Sequence, residues 1–182
     1  TRLTHCFAST PVCGPSRATM LTGTHFMTHG VVSNDLPVRT DLPSMGTCFR
    51  NAGYRTGYIG KWHLDGVPRS KFTPPGPRRL GFDHWAAYNC AHSYFNTRYF
   101  TDSDQLIRTN AYEPVTQTSL AIDYLRDAAR DDVPFALALS WGPPHDPYPE
   151  VPDEYRNRYD PAKLTLPPNA VSYTHLTLPT KA

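Results

Sequence analysis

The chain has 182 residues, of which 18 are basic and 16 acidic, and the resulting net charge of +2 gives no support for binding nucleic acid or an anionic membrane surface. Its length suffices to bury a core and suits one domain or part of a larger one. No apolar run approaches the roughly 18 residues of a membrane span. Four cysteines without CxxC spacing predict neither a zinc site nor a disulfide framework.

The stretch PVCGPSRATMLTG predicts a helix that begins near Pro15 and ends around Gly23. Proline is favoured at the first helical position because its missing N–H group costs nothing there. We therefore expect Cys13 at or just before a helix N-terminus, where the helix dipole favours anions and lowers a thiol's pKa. With Arg17 one turn further on, Cys13 is interpreted as a nucleophile at an anion site. The alternative is a buried structural cysteine beside a surface arginine.

Two further helix-to-strand units follow along the chain. A helix over about 43–51, capped by Ser44, leads into a buried strand within 54–64. A longer helix over about 116–130 leads into the apolar strand at 134–141 and then into a proline-rich loop. Helix followed by strand, repeated, predicts parallel pairing in an α/β sheet flanked by helices.

Three polar side chains lie where the predicted strands end. Lys61 and His63 are two residues apart, so on an extended chain they would point the same way and bring a cation and an imidazole together. His145 follows the last strand, and ligands of such sheets bind at the carboxyl ends of strands. Taken singly, these residues also suit a solvated strand end and a loop histidine bonded to the backbone.

Residues 65–113 have no clear hydrophobic period and are expected to form a long loop or a small insertion. Within them, Trp85, Asn89 and His92 lie in the stretch HWAAYNCAHSY. Aromatic rings with polar groups are suited to a sugar-stacking and hydrogen-bonding rim, so these residues are candidates for substrate binding. Packing within an insertion is the equal alternative.

In combination the motifs are far more specific. CGPSR followed by LTG, then GYRTGYIGKWHL, then SWGPPHDPY resemble the type I sulfatases of the alkaline-phosphatase-like superfamily in order and context. The resemblance covers most of residues 1–170 and is weakest within 66–113. It implies an incomplete alkaline-phosphatase-like α/β fold, with 1–170 a partial catalytic domain. Thr24 departs from the pattern, since the family commonly has arginine after LTG.

The resemblance implies that a formylglycine-generating enzyme oxidises Cys13 to formylglycine, whose hydrated aldehyde attacks the sulfur of a sulfate ester. Arg17 would orient and charge-stabilise this group, because its planar fork suits oxyanions. His63 would hydrogen-bond the hydrated aldehyde and act as the base. Lys61 would hold a sulfate oxygen, and His145 would contact the sulfate or the ester oxygen near the leaving group.

The resemblance also implies one divalent cation, usually calcium, bound by an Asp-Asp pair upstream and an Asp-Asn or Asp-His pair downstream of these motifs. Neither pair can be placed in this sequence, so residue 13, through its modified side chain, is left as the expected metal ligand. We therefore expect the 182-residue chain to be inactive by itself. Bacterial relatives are often secreted, so a periplasmic or extracellular location is expected.

The predicted function of the full-length protein is hydrolysis of sulfate esters, on a sulfated carbohydrate or another sulfated small molecule. A phosphonate or phosphate-diester hydrolase of the same superfamily is one alternative. A non-catalytic protein that binds sulfated glycans is the other, although intact Cys13, Arg17, Lys61, His63 and His145 argue against it.

The final residues, VSYTHLTLPTKA at 171–182, are unlike the rest. Residues 171–180 resemble one translated frame of a transposon-end adaptor used in sequencing libraries, so 171–182 is interpreted as a non-native tail. A strand-like tail is the alternative, because Val171, Tyr173, Leu176 and Leu178 would suit one.

Overall fold

The computed structural model describes residues 3–165 and residue 168. They fall into two compact units, with the boundary between Glu150 and Val151. The predicted tail at 171–182 lies outside the described residues. Within the described part, no helix is long and apolar enough to cross a membrane. The elements of the first unit are α1 (Cys13–Thr22), α2 (Phe26–His29), α3 (Met45–Asn51), β1 (Arg55–Lys61), β2 (His84–Tyr88), β3 (Thr97–Tyr99), β4 (Ile107–Thr109), α4 (Glu113–Ala128) and β5 (Phe135–Ser140); the second unit contains α5 (Asp153–Arg156).

A parallel sheet with the strand order β2-β1-β5 organises the first unit. Central strand β1 aligns Gly57 with His84 of β2 on one side and with Leu137 of β5 on the other. All three strands point the same way, so their carboxyl ends meet at one edge of the sheet. The α/β fold with a parallel sheet flanked by helices, predicted from the sequence, is confirmed.

Helices cover both faces of this sheet. Helix α4 packs against β1 and β5, where Ile59 and Ala86 meet Ala121, Tyr124 and Ala128. On the opposite face, α1 contributes to a larger core. The buried members of that core are Ala18, Leu21, Val31, Val38, Tyr58, Trp62, Leu64, Leu80, Phe82, Trp85 and Ala87.

Helices α1 and α3 show how far local sequence signals decide where a helix begins. Ser44 caps α3 as predicted: its hydroxyl accepts from Thr47 N at 3.1 Å, and the Thr47 hydroxyl accepts from Ser44 N at 2.8 Å. Helix α1 instead begins at Cys13, two residues before the predicted start. Its N-cap has no side-chain hydrogen bond, but Gly14 N donates to Asn34 Oδ1 at 2.8 Å. A tertiary contact thus supplies the missing cap.

The stretch 65–113 is more ordered than a long loop or an insertion. It supplies β2, an integral strand of the parallel sheet, and the antiparallel pair β3 and β4. The expectation of a loop is therefore corrected. Strand β2 has only five residues, four of them buried, so its sequence shows no polar-apolar alternation.

Trp85 of β2 lies in the core and not on a substrate-binding rim. It is 2% exposed, its ring lies 5.4 Å from Tyr58 and 5.1 Å from Trp62, and the Arg79 guanidinium lies 4.8 Å from its ring centroid. The structure therefore corrects the sugar-stacking assignment of Trp85 in favour of the packing alternative.

Replacing Trp85 tests this placement. Trp85→Ala should lower the free energy of unfolding by about 3–5 kcal/mol, because it removes a buried ring and leaves a cavity. Equilibrium urea unfolding of the purified protein measures the loss. Tyr148→Ala is the matched control, since Tyr148 is 73% exposed and its removal should change stability by less than about 0.5 kcal/mol. Equal effects of the two substitutions would contradict a core position for Trp85.

Candidate active site

The N-terminus of α1 lies at the edge where the parallel strands end. Cys13 is the first residue of α1, and its side chain donates from Sγ to Asn34 Oδ1 at 3.4 Å. The neighbouring His63 lowers the pKa of Cys13 to about 6, against an opposing effect of burial, and the Lys61 charge lowers it further. The structure thus brings together the cysteine, the lysine and the histidine that the sequence singled out. This setting favours the thiolate form of Cys13.

His63 is buried directly beyond β1. It is 2% exposed and has a φ of 57°, so the chain is no longer extended there, unlike the geometry assumed from the Lys61–His63 spacing. Its Nε2 lies 3.3 Å from Asp35 Oδ1. Burial opposes the charged ring, but the neighbouring Cys13 and Cys90 raise the pKa of His63 to about 9. In the unoxidised protein, Cys13 and His63 therefore favour each other's charged forms.

Lys61 ends β1 as a buried ammonium group. It is 1% exposed, and burial lowers its pKa. Its Nζ lies 3.3 Å from His92 Nε2, and burial followed by the Lys61 charge lowers the pKa of His92 to about 4. A neutral His92 accepts from the lysine, which keeps the ammonium charge and fixes its direction.

His92 and His145 stack on each other, with ring centroids 4.2 Å apart and an interplanar angle of 7°. His145 is exposed, and its Nδ1 donates to Asp146 O at 2.7 Å, so the predicted alternative of a backbone-bonded loop histidine describes one of its two contacts. Tyr94 holds the same loop by donating its hydroxyl to His145 O at 2.9 Å. The structure therefore joins His145 to Lys61 through His92.

Arg17 lies on the other flank of the site. Its guanidinium Nη1 donates to Lys61 O at 2.9 Å and to Ser140 Oγ, so it links α1 to the ends of β1 and β5. A cavity of about 360 Å³ beside Cys13 is lined by Arg17, Ser140 and apolar side chains of α1. The hydrogen bonds shown for Arg17 go to the sheet, and its orienting role toward residue 13 stays a prediction.

The Asn89 side chain hydrogen-bonds to backbone groups and does not line a substrate-binding rim. It is 2% exposed, its Nδ2 donates to Gly66 O at 2.7 Å, and its Oδ1 accepts from Asp65 N at 3.2 Å. Because both ends of the amide are engaged with backbone, the substrate-binding assignment of Asn89 is corrected. Of the three rim candidates, His92 alone reaches the site.

Sequence reasoning did not single out Asn34 and Asp35, which contact Cys13 and His63. The signal available was an Asn-Asp dipeptide between two apolar segments, since both residue types favour turns and tolerate positive φ. Asp35 has a φ of 69°. A turn signal carries no indication of what the side chains contact, so only the fold reveals their place in the site.

The implied calcium ion does not fit the described residues by themselves. Among residues 3–165 and 168, no group of three or more His, Cys, Asp and Glu side chains is placed to hold a metal ion. Asp35, the carboxylate beside His63, is already paired with Arg69, with Arg69 Nη2 at 2.7 Å from Asp35 Oδ2. Metal binding by residue 13 therefore stays a prediction.

Comparison with known proteins identifies the family. A family model described as Sulfatase matches residues 1–175. The chain belongs to the sulfatase family. The ulvan-active sulfatase of Formosa agariphila is 40% identical over 167 residues, which are 91% of this chain and 32% of that protein. The chain therefore spans about a third of the length of this sulfatase.

Solved structures agree with the family and with the alkaline-phosphatase-like fold. Bacteroides fragilis yidJ, assigned to the sulfatases, gives a TM-score of 0.77 at 30% identity and covers 82% of this chain and 37% of its own. A structure solved in complex with its substrate, D-glucosamine-2-N,6-O-disulfate, gives a TM-score of 0.65 at 30% identity over 79% of this chain and 27% of its own.

The environment of Cys13 can be tested by alkylation of the unoxidised protein. The rate of iodoacetamide labelling of Cys13 should rise through a midpoint near pH 6, because the thiolate is the reactive form and its pKa is about 6. Exposed Cys48 is the internal control for the reagent. Mass spectrometry of the two peptides reads both rates, and coincident profiles would contradict the Cys13–His63 interaction.

Proposed function

We propose that this chain carries the nucleophile and part of the anion-binding groups of a sulfate-ester hydrolase. The observation that carries the proposal is the convergence of Cys13, buried Lys61 and buried His63 at one helix N-terminus. Helix N-terminal N–H groups and a fixed ammonium charge favour an anionic group at this position. Membership of the sulfatase family supports sulfate as that group.

Residue 13 supplies the nucleophile. When Cys13 is converted to formylglycine by a formylglycine-generating enzyme, the hydrated aldehyde provides the oxygen that attacks sulfur. The CGPSR motif at the start of α1 supports this conversion. The surroundings of residue 13 suit the hydrated aldehyde, because they combine hydrogen-bonding groups with positive charge.

Lys61 binds a sulfate oxygen in this proposal. Its ammonium group is preorganised for that role, because it is buried and held by His92 before the substrate binds. Little reorganisation is therefore needed when negative charge develops on the sulfate in the transition state. Arg17, anchored on the ends of β1 and β5, stabilises the group at position 13 from the other flank.

His63 acts as the general base once residue 13 is formylglycine, because conversion removes the Cys13 thiol that favours the charged imidazole. His63 lies beside residue 13, and proton transfer by such a positioned side chain contributes about 10²–10⁴-fold to rate. In this proposal His145, which is exposed and stacked on His92, contacts the sulfate or the leaving-group oxygen. The histidine pair therefore forms the substrate-facing side of the site.

The proposed substrate is a sulfated carbohydrate. Two proteins similar to this chain support that class, one described as ulvan-active and one solved with a disulfated glucosamine as its substrate. Calcium belongs to the proposal as a family property, with its carboxylate ligands expected outside the described residues. A periplasmic or extracellular location belongs to it in the same way.

Substitution of residue 13 tests the proposal in the full-length enzyme. Cys13→Ala should abolish hydrolysis of aryl sulfate and sulfated sugars, and Lys61→Met should lower kcat/KM by about 10²-fold or more, because each removes a group that acts on the transition state. Arg126→Met is the matched control, since Arg126 is an exposed cation on α4 and should retain activity. Peptide mass spectrometry reports conversion of Cys13 in parallel.

The choice of ester separates the alternatives. Faster turnover of phosphonate monoesters or phosphate diesters than of sulfate esters would favour the related hydrolase activity. Binding of sulfated glycans without turnover of any ester, with Cys13 unconverted, would identify a non-catalytic binding protein. Appreciable sulfatase activity in Cys13→Ala would overturn the assignment of residue 13 as the nucleophile.

A further inference from the structure

Asp35, in the loop between α2 and α3, brings a carboxylate next to His63. Asp35 Oδ1 lies 3.3 Å from His63 Nε2, and the same carboxylate accepts from Arg69 Nε at 2.8 Å and from Arg69 Nη2 at 2.7 Å. Asp35 is 29% exposed at its side chain, whereas the His63 side chain is 2% exposed. The carboxylate therefore stands between solvent-facing Arg69 and a buried imidazole.

This position of Asp35 is fixed from several directions. The preceding residue, Asn34, accepts from Gly14 N and from Cys13 Sγ, which ties the loop to the first turn of α1. A little further on, Val38 N donates to Leu64 O at 2.9 Å, which ties the loop to the chain directly after His63. The loop is thus attached both to the element that carries the nucleophile and to the one that carries the base.

The two ring nitrogens of His63 have different surroundings. Nε2 meets the Asp35 carboxylate, whereas Nδ1 is buried and has no hydrogen-bond partner within the described part of the chain. A carboxylate beside one nitrogen favours the proton on that nitrogen, which leaves a lone pair on the other. An unpartnered buried nitrogen is costly unless it serves a group that the site acts on.

We propose that Asp35 is a positioning residue for His63: it holds the imidazole with the proton on Nε2 and leaves Nδ1 available to the group at position 13. Asp35 acts through His63 and does not touch the substrate. The inference rests on the proposed function, in which His63 is the base. Arg69 holds Asp35 in place and balances its charge.

The consequence for kinetics follows from what Asp35 contacts. Lys61, held by His92, binds the sulfate in the proposed function, and Asp35 is bonded to neither of these residues in the contacts described. Loss of the carboxylate should therefore affect the proton transfer and leave sulfate binding nearly unchanged. We expect a fall of about 10²-fold in kcat with KM within about twofold, since general-base catalysis is worth about 10²–10⁴-fold.

Three variants of the full-length enzyme separate this role from simple anchoring of the loop. Asp35→Ala removes the carboxylate from His63. Arg69→Met loosens the loop but keeps that carboxylate. Asp41→Ala is the matched control, because Asp41 lies on the same connection and is also paired with an arginine, Arg39, but at an exposed position. The proposal expects a large loss of kcat in Asp35→Ala, a smaller loss in Arg69→Met, and none in Asp41→Ala.

Equal losses of kcat in Asp35→Ala and Arg69→Met would overturn the proposal, because they would show that the carboxylate only anchors the loop. A rise in KM without a loss of kcat would overturn it as well. Circular dichroism of each variant shows whether the fold is retained.

A measurement without turnover keeps the inference separate from the proposed activity. Nitrogen-15 NMR of the Cys13→Ala protein, which cannot be converted, reports the tautomer of neutral His63, and His63→Gln identifies the signal by its loss. The proposal expects the Nε2–H tautomer, lost on adding Asp35→Ala. A mixture of tautomers that Asp35→Ala leaves unchanged would overturn it, whether or not the enzyme hydrolyses sulfate esters.

Discussion

The end of the central strand is the point on which the site depends. The carbonyl oxygen of Lys61 accepts from Tyr58 Oη at 2.6 Å, from Arg17 Nη1 at 2.9 Å and from Ser140 Oγ at 3.1 Å. These donors come from β1 itself, from α1 and from β5. One backbone group therefore holds the nucleophile's helix against two strands, and it does so at the residue whose ammonium group enters the site.

Among the described residues, buried Lys61 has no carboxylate within salt-bridge distance. Burial lowers the pKa of Lys61, and the neighbouring His92 accepts from the ammonium group but brings no negative charge. Cys13 and His63 instead stabilise each other as an ion pair. A site with fixed, incompletely compensated positive charge is suited to an anion that arrives from solution, which is the physical basis of the proposed sulfate binding.

Prediction from sequence succeeded where the signal was local. The end of α1 at Gly23, the Ser44 cap of α3 and the parallel pairing of β1 with β5 all follow from capping residues and hydrophobic periods. It was wrong for β2, because a short strand buried along most of its length lacks alternation, and for Trp85 and Asn89, because a sequence does not tell a buried aromatic or amide from one on a binding rim. Asp35 gave a turn signal only.

The sequence by itself determined the family and the identity of the chemical groups, because CGPSR, GKWHL and PPHDPY combine rare residue types at fixed spacings. The tertiary structure alone decided which of those groups meet. Asn34 lies 21 residues from Cys13, and Asp35 lies 28 residues from His63, yet each pair is in contact. Such contacts arise from packing of the loop onto the end of the sheet, and packing over long separations leaves no period or spacing in the chain.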